Sequence, residues 1–486
     1  MISLAVPRAM PALALALVLA GCAGPAQPSE PPGEAPAARA GAAPVSLILA
    51  NAIVVTMDGT GRVLTPGSVA IDGNRIVAVD TPEAIATKFN ATDRMDLTGH
   101  IVLPGLINTH THAPMVLYRG LADDLALMEW LEKYIFPAEA KTVSPGFVRV
   151  GTRLAALEMI RSGTTLFTDM YYFEEEVAAA AKEAGIRGVL GQTIIQFPVA
   201  DAKTPAEGLA RAEAFIQKFR DDDLIVPSIA PHSMYTLDQA TLLATRDLAV
   251  KHGIPLQIHL AETEDEVRIA QERYKKRPVA FLDGIGFWAP VTLGAHGVWV
   301  SPEEVTLLQK RGVGIAHNPE SNMKLASGTA PVPAYLKAGA KLGLGTDGAA
   351  SNNDLDMFEA MRQAALLHKL VSRDPRMVSA KTALQMATIG GARALGLQDR
   401  LGSIEVGKLA DVIAVRTDRP RQVPMYDPVS HLVYATHGDD VVLTVVNGRV
   451  LLKDGVVRTL DEAAVIRDAR AAADSVRQAV QSRPGG

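Results

Sequence analysis

Residues 105–120 read GLINTHTHAPMVLYRG, an apolar run that ends in His110 and His112 and then breaks at Pro114. In a strand, residues two apart project to the same face, so both imidazoles point one way. That spacing alone fits a metal site and an ordinary hydrogen-bonded pair equally well. The rest of the chain decides, because the same pattern recurs. Apolar, strand-like runs are IVLPGLINTH (101–110), TTLFTDM (164–170), RGVLGQTII (187–195), LIVPSIAPH (224–232), IPLQIHL (254–260), VTLGAHG (291–297), GVGIAHN (312–318) and KLGLGTD (341–347), most of them with a polar residue at or near the end. Amphipathic, helix-like stretches at 148–162, 206–219, 239–252 and 354–370 fall between or after them. Strands alternating with helices over this length predict an α/β protein whose core, 101–399, is a closed (β/α)8 barrel of TIM type. An open doubly wound sheet is the alternative, but no glycine-rich phosphate turn follows the first run.

On either side of the barrel lie shorter, β-branched runs with turn signals. SLILANAIVVTMDG (46–59) and GSVAIDGNRIVAVD (67–80) precede it; ADVIAV (410–415) and VVLTVVNGRVLLKDG (441–455) follow. Asp72-Gly73-Asn74 and Asn447-Gly448 are hairpin signals. The two sets predict one small β-sandwich domain made from both ends of the chain, 46–100 and 400–460, with a C-terminal helix and tail at 461–486.

The extreme N-terminus has a different character. Residues 1–22 carry one arginine, the apolar run ALALALVLA and then LAGC, the form of a bacterial lipoprotein signal peptide with Cys22 as lipid acceptor. The run is short for a membrane span. Residues 23–45, rich in Ala, Pro and Gly, suit a flexible tether. These features predict a cell-envelope lipoprotein on the periplasmic side, and Ala23 after the cysteine favours the outer membrane. The alternative is a cytosolic protein whose start is misassigned.

Composition narrows the partners. The chain has 48 Lys and Arg against 53 Asp and Glu, a net charge of −5 with the signs interspersed. It offers no basic stripe for nucleic acid and no polybasic membrane patch, so a lipid anchor is the expected membrane contact. Cys22 is the one cysteine, which excludes a disulfide framework and a thiolate metal site.

In such a barrel the active site lies at the C-terminal ends of the strands. Six of the eleven histidines end apolar runs: His110, His112, His232, His259, His296 and His317; Asp347 ends the eighth. Burying so many imidazoles together calls for a shared reason, and a metal supplies one. Three imidazoles and a carboxylate, with a position left for water, suit zinc or iron and lower the pKa of bound water toward neutrality. The fourth run ends in APHS, with no lysine or glutamate to bridge a second ion, so one metal per chain is expected. Glu262, three residues after His259, is close enough to shuttle protons without ligating the ion. It reads equally as an N-terminal charge of the helix that ETEDEV begins.

An ordered series of segments resembles the amidohydrolase superfamily, and within it the methylthioadenosine/S-adenosylhomocysteine deaminases: PGLINTHTHAPM, RGLADDLALMEWLEKYIFPAE, APHSMYT, HLAETEDEV, NPESNMKLASGTAPV, LGTDGAASNNDLDMFEAMR and DPVSHLVYA. The resemblance implies that His110, His112, His259 and Asp347 hold the metal and that Glu262 is the acid/base. It implies that His296 and Asp347 act on the attacking water, and that Glu262 and Asp347 also face the substrate. Glu139 matches the carboxylate that binds ribose hydroxyls, and His232 a substrate-contacting histidine. The implied substrate is a small adenine nucleoside (adenosine, 5′-methylthioadenosine or S-adenosylhomocysteine), and relatives suggest a homo-oligomer. The arginines that hold the amino-acid carboxylate of S-adenosylhomocysteine in some members are not identifiable here. Rival readings are guanine deamination or triazine dechlorination on the same barrel, and a lipoprotein that binds nucleosides without turnover. The cysteine-dependent zinc deaminase design is closed to this chain.

Overall fold

The structure, a computed structural model, describes residues 42–481. The lipoprotein signal with Cys22, and the tether up to residue 41, lie outside the described residues. The tether reading is too long at its end: Ala43–Val45 already belong to a strand, Ala43–Val55, that pairs in parallel with Phe89–Asp96.

All eight apolar runs of the core form strands of one parallel sheet. They are β1 (Leu106–Thr111), β2 (Thr164–Tyr171), β3 (Arg187–Ile194), β4 (Ile225–Pro231), β5 (Leu256–Leu260), β6 (Thr292–His296), β7 (Gly314–His317) and β8 (Lys341–Leu344), neighbours in chain order throughout. The seam between β8 and β1 is closed by individual hydrogen bonds. Thr109 Oγ1 donates to the Leu344 carbonyl at 2.8 Å, Asn108 Nδ2 to Thr346 Oγ1 at 2.8 Å, and the Asp347 amide to the His110 carbonyl at 3.0 Å. The seam therefore sets Asp347 beside His110. Gly345 makes this possible, since a Cβ there would lie 2.9 Å from the His110 amide nitrogen.

Polar residues cap the starts of several barrel helices. Ser144, Thr204, Asp238, Thr263 and Ser301 each accept a backbone N–H from the first turn.

The run 101–110, expected as one strand, is two. His100–Pro104 pairs with Val412–Arg416 in the other sheet, and β1 begins only after Gly105, where a Cβ would collide with the Thr165 side chain. That other sheet has nine strands, drawn from Ala43–Pro104 and from Val412–Val457. It is one continuous sheet curled on itself. The Asn447-Gly448 turn meets the Gly73-Asn74 turn, and the Ile76 amide donates to the Lys408 carbonyl at 3.0 Å. Leu49, Val69, Ile71, Val102, Val412 and Val445 fill its fold. The C-terminal segment forms a helix, Glu462–Gln481. Among the described residues no helix is long and apolar enough to cross a membrane.

Candidate metal centre and its cavity

At the C-terminal ends of the strands the side chains of His110, His112, His259 and Asp347 converge. Asp347 Oδ1 lies 3.4 Å from His110 Nε2 and 3.3 Å from His112 Nε2, and the Nε2 atoms of His112 and His259 are 3.3 Å apart. The tautomers follow from the other ring nitrogens. His112 Nδ1 faces the Met170 carbonyl at 2.7 Å and His259 Nδ1 the His232 carbonyl at 2.9 Å; a carbonyl only accepts, so both Nδ1 atoms carry the proton. The two Nε2 atoms that face each other are then bare lone pairs. Two lone pairs in contact repel unless a cation lies between them. His110 Nε2, also buried, has no hydrogen-bond partner.

The spacing fits such an ion. Bonds of about 2.0–2.1 Å in tetrahedral array put neighbouring ligand atoms about 3.3 Å apart, which is the separation found for these three pairs. Burial keeps the imidazoles ready to ligate: it lowers His110 to about 4 and holds His259 well below the usual histidine range. Burial works the other way on Asp347, but the imidazoles of His110, His112 and His296 around it outweigh it and hold the carboxyl well below the usual range. Its second oxygen accepts from Ser321 Oγ at 2.7 Å and Ser351 Oγ at 2.9 Å. These hydroxyls orient it as supporting partners of a metal ligand do.

Three strand-end residues near the cluster have left-handed backbones although none is glycine: Ala261 (φ 48), His296 (φ 74) and Asp347 (φ 65). Each costs about 1–3 kcal/mol and persists only where surrounding contacts enforce it. At Ala261 the enforcing contacts are visible. Glu266, in the first turn of the helix Glu264–Tyr274, reaches back to accept the Ala261 and Glu262 amides at 3.0 and 2.9 Å. Glu264, Asp265 and Glu266 are the acidic residues of that first turn, while Glu262 lies ahead of the Thr263 cap and lines the cavity. Its Oε2 is 3.8 Å from His296 Nε2. Burial, reinforced by the negative charge of Asp347, pushes the Glu262 carboxyl well above the usual range.

The cavity over the cluster, partly open to solvent, spans about 590 Å³. Glu139 and His232 both face it. Glu139 Oε1 accepts from the Tyr171 hydroxyl at 2.6 Å, and burial, opposed by that hydrogen bond, raises its carboxyl to about 7. His232, lowered to about 3 by burial and by the neighbouring imidazoles of His112 and His110, has its Nδ1 within 3.2 Å of Ser233 Oγ and 3.1 Å of Thr236 Oγ1. Trp130, Tyr172 and Tyr235 complete an aromatic wall. His296 presents its Nδ1 to the side chains of Asn322 (2.9 Å) and Asn318 (3.3 Å).

One histidine of the sequence set does not join. His317 is buried with its Nε2 3.0 Å from that of His368, and it does not line the cavity. In the other direction, the sequence reading missed Asp169. Its Oδ1 accepts the Ala113 amide at 2.5 Å and Thr111 Oγ1 at 2.7 Å, pinning the turn that carries His110 and His112. The signal was present: TTLFTDM carries a carboxylate, Asp169, one residue before its end. Tyr171, Asn318, Asn322 and Ser321 carried no comparable signal, since each gains meaning only from a partner far along the chain.

Comparison with known proteins places the molecule. The Amidohydrolase family profile matches residues 101–451. The 5-methylthioadenosine/S-adenosylhomocysteine deaminase of Syntrophobacter fumaroxidans is 47% identical over 437 residues, covering 90% of this chain and 100% of that protein. The 5′-deoxyadenosine deaminase of Methanosarcina mazei is 43% identical over 438 residues, covering 90% and 99%. The crystal structure of an adenosine deaminase from Xanthomonas campestris with bound zinc superposes with a TM-score of 0.88 at 40% identity, covering 90% and 100%. Fold, profile and relatives agree over the barrel and much of the curled sheet: the chain belongs to the amidohydrolase family.

Proposed function

We propose that the protein is a metal-dependent hydrolytic deaminase of adenine nucleosides that releases ammonia. The observation that carries this reading is the meeting, in one cavity, of a three-histidine, one-carboxylate donor set with a buried Glu262 carboxyl that stands outside it. The names of these three relatives, each a deaminase of adenine nucleosides, support the substrate class.

His110, His112, His259 and Asp347 would hold one ion, zinc or alternatively iron. When bound, such an ion supplies Lewis acidity that lets water act as a nucleophile near neutral pH. The chain's own groups do the rest. Asp347 takes a proton from the attacking water, and Glu262 delivers its proton to the ring nitrogen beside the amine-bearing carbon. His296, whose ring is oriented by Nδ1 donating to Asn322 Oδ1 at 2.9 Å, faces the same oxygen from across the cavity and steadies it as negative charge develops. The proton taken up by Asp347 passes to the amine, whose loss as ammonia completes the exchange of amine for oxygen. Glu139 accepts from the ribose hydroxyls, and His232 contacts the substrate beside it. An anchor at Cys22 would put this activity at the cell envelope.

Ammonia release from adenosine and from its 5′-thioethers tests the proposal, with guanine and a chlorotriazine as controls. Turnover of the adenine nucleosides is expected. Release from guanine alone, chloride release from the triazine alone, or binding without turnover would each overturn it. For the anchor, Cys22→Ser should move the enzyme out of the membrane fraction; a soluble wild-type protein with its N-terminus intact would refute that part.

A further inference from the structure

Two further buried acids flank the turn that carries His112, and the deamination scheme gives neither of them a step. Asp169, near the end of β2, and Glu174, first residue of the helix Glu174–Ala184, are both fully buried. Asp169 Oδ1 accepts the Ala113 amide and the Thr111 hydroxyl, on either side of His112. Glu174 Oε1 accepts the Tyr171 amide at 2.8 Å, and the carbonyl of that same peptide group, on Met170, faces His112 Nδ1 at 2.7 Å. A peptide that accepts at one end and donates at the other is polarised along its length, so each bond strengthens the other. Between β2 and the helix, Phe173 takes a left-handed backbone (φ 53), a strained conformation for a bulky residue, and its amide donates to Asp201 Oδ2 at 2.8 Å. The chain thus reverses within three residues and returns the Glu174 carboxyl to the strand it has just left.

Each acid has one oxygen left. Asp169 Oδ2 and Glu174 Oε2 are buried and find no other donor among the described residues. The two side chains lie within hydrogen-bonding reach of each other, and burial raises both carboxyls, Glu174 the further. Two bare carboxylates repel, so a bond between them requires that one be an acid. We infer that Glu174 is a positioning residue for the metal ligand His112: it shares one proton with Asp169, and the pair closes a ring of hydrogen bonds around the His112 turn. The ring runs from His112 Nδ1 to the Met170 carbonyl, through that peptide to Glu174, across the shared proton to Asp169, and back to the residues flanking His112. It fixes both the tautomer and the direction of the imidazole. This inference rests on the donor cluster being a metal site, but not on which nucleoside is turned over. A shared proton leaves the pair with a single negative charge, and either acid replaced by its amide reproduces both that charge and the bond. Replacing both does not, because two NH₂ groups then face each other with no acceptor between them.

The test is zinc affinity of the full protein, read by competition with a chromogenic chelator, with unfolding of each apoprotein measured beside it. Glu174→Leu removes the acceptor and the shared proton, and should weaken zinc binding by about 10–100-fold, as loss of a supporting partner does. Glu174→Gln and Asp169→Asn should each bind zinc within a few-fold of wild type, by about the margin that separates equivalent hydrogen bonds. The double variant Asp169→Asn/Glu174→Gln should fall by about 10–100-fold although neither single change does. The amide set decides the matter even where Glu174→Leu does not fold. A double variant that binds zinc like wild type, or Glu174→Gln losing as much as Glu174→Leu, would overturn the inference. So would variants that shift apoprotein unfolding and leave zinc affinity unmoved, since the acids would then only hold the fold together. Failure of the wild-type protein to bind zinc at all would instead remove the metal-centre reading, and this inference with it.

Discussion

Two buried clusters of ionisable groups, one at each end of the barrel, obey opposite rules. At the foot, Arg187 on β3 donates to both oxygens of Asp411, at 2.9 and 3.1 Å, to the Asp223 carbonyl at 2.6 Å and to Asn447 Oδ1 at 3.3 Å. Asp411 also accepts the Asn447 amide at 2.7 Å. Each charge there has a partner within the chain, and the pair ties the barrel to the curled sheet. At the head, the facing Nε2 atoms of His112 and His259 and the unpartnered Nε2 of His110 have none. Both clusters are equally buried, so burial of charge does not by itself mark function. What separates them is whether the protein alone satisfies its own groups. The foot is complete; the head is complete only with an ion.

This contrast can be broken at either end. The largest effects belong to the head. Asp347→Asn removes a ligand and a proton acceptor together, so metal content should fall and turnover should drop beyond the roughly 10⁴-fold that proton transfer alone contributes. Glu262→Gln should separate the two functions: metal retained, kcat down by about 10²–10⁴-fold. Elemental analysis beside steady-state kinetics reads both, and loss of metal from Glu262→Gln would merge roles that the geometry keeps apart.

At the foot the currency is stability. Arg187→Ala leaves Asp411 buried and unpaired, which should lower unfolding free energy by about 3–5 kcal/mol while the folded fraction keeps its metal and its kcat. Denaturant unfolding checks the first part and kinetics per folded molecule the second. A variant that loses metal without losing stability would show that the two ends are not independent.

Glu139 tests the contrast most gently, because its partner is substrate. Glu139→Gln should raise KM for adenosine by about 10-fold or more and leave free adenine nearly untouched, since only the sugar hydroxyls lose a charged acceptor. Equal losses on both would take the ribose away from it.

How much of this was legible depends on whether a signal is local. The eight strands were readable because each is a short apolar run bounded by turn chemistry, and the barrel follows from their count and their alternation with helices. Strand ends located the histidines for the same reason. The single run 101–110 misled because hydrophobicity does not change at Gly105, whereas sheet membership does; only the contact with Thr165 explains the break. His317 misled in the same way, ending a strand like the others but turning toward His368, a partner 51 residues on. Asp169, Tyr171 and the serines on Asp347 act through residues up to 58 positions away, and no spacing in the chain announces them. The left-handed backbones at His296 and Asp347 are likewise set by what packs around them.

Metal titration of the apoenzyme tests the account most directly. Zinc is removed by chelation and returned in measured equivalents while ammonia release from adenosine is followed. The donor cluster predicts that activity rises linearly to one equivalent per chain and is flat beyond it. A break at two equivalents, or full activity before any metal is returned, would contradict it.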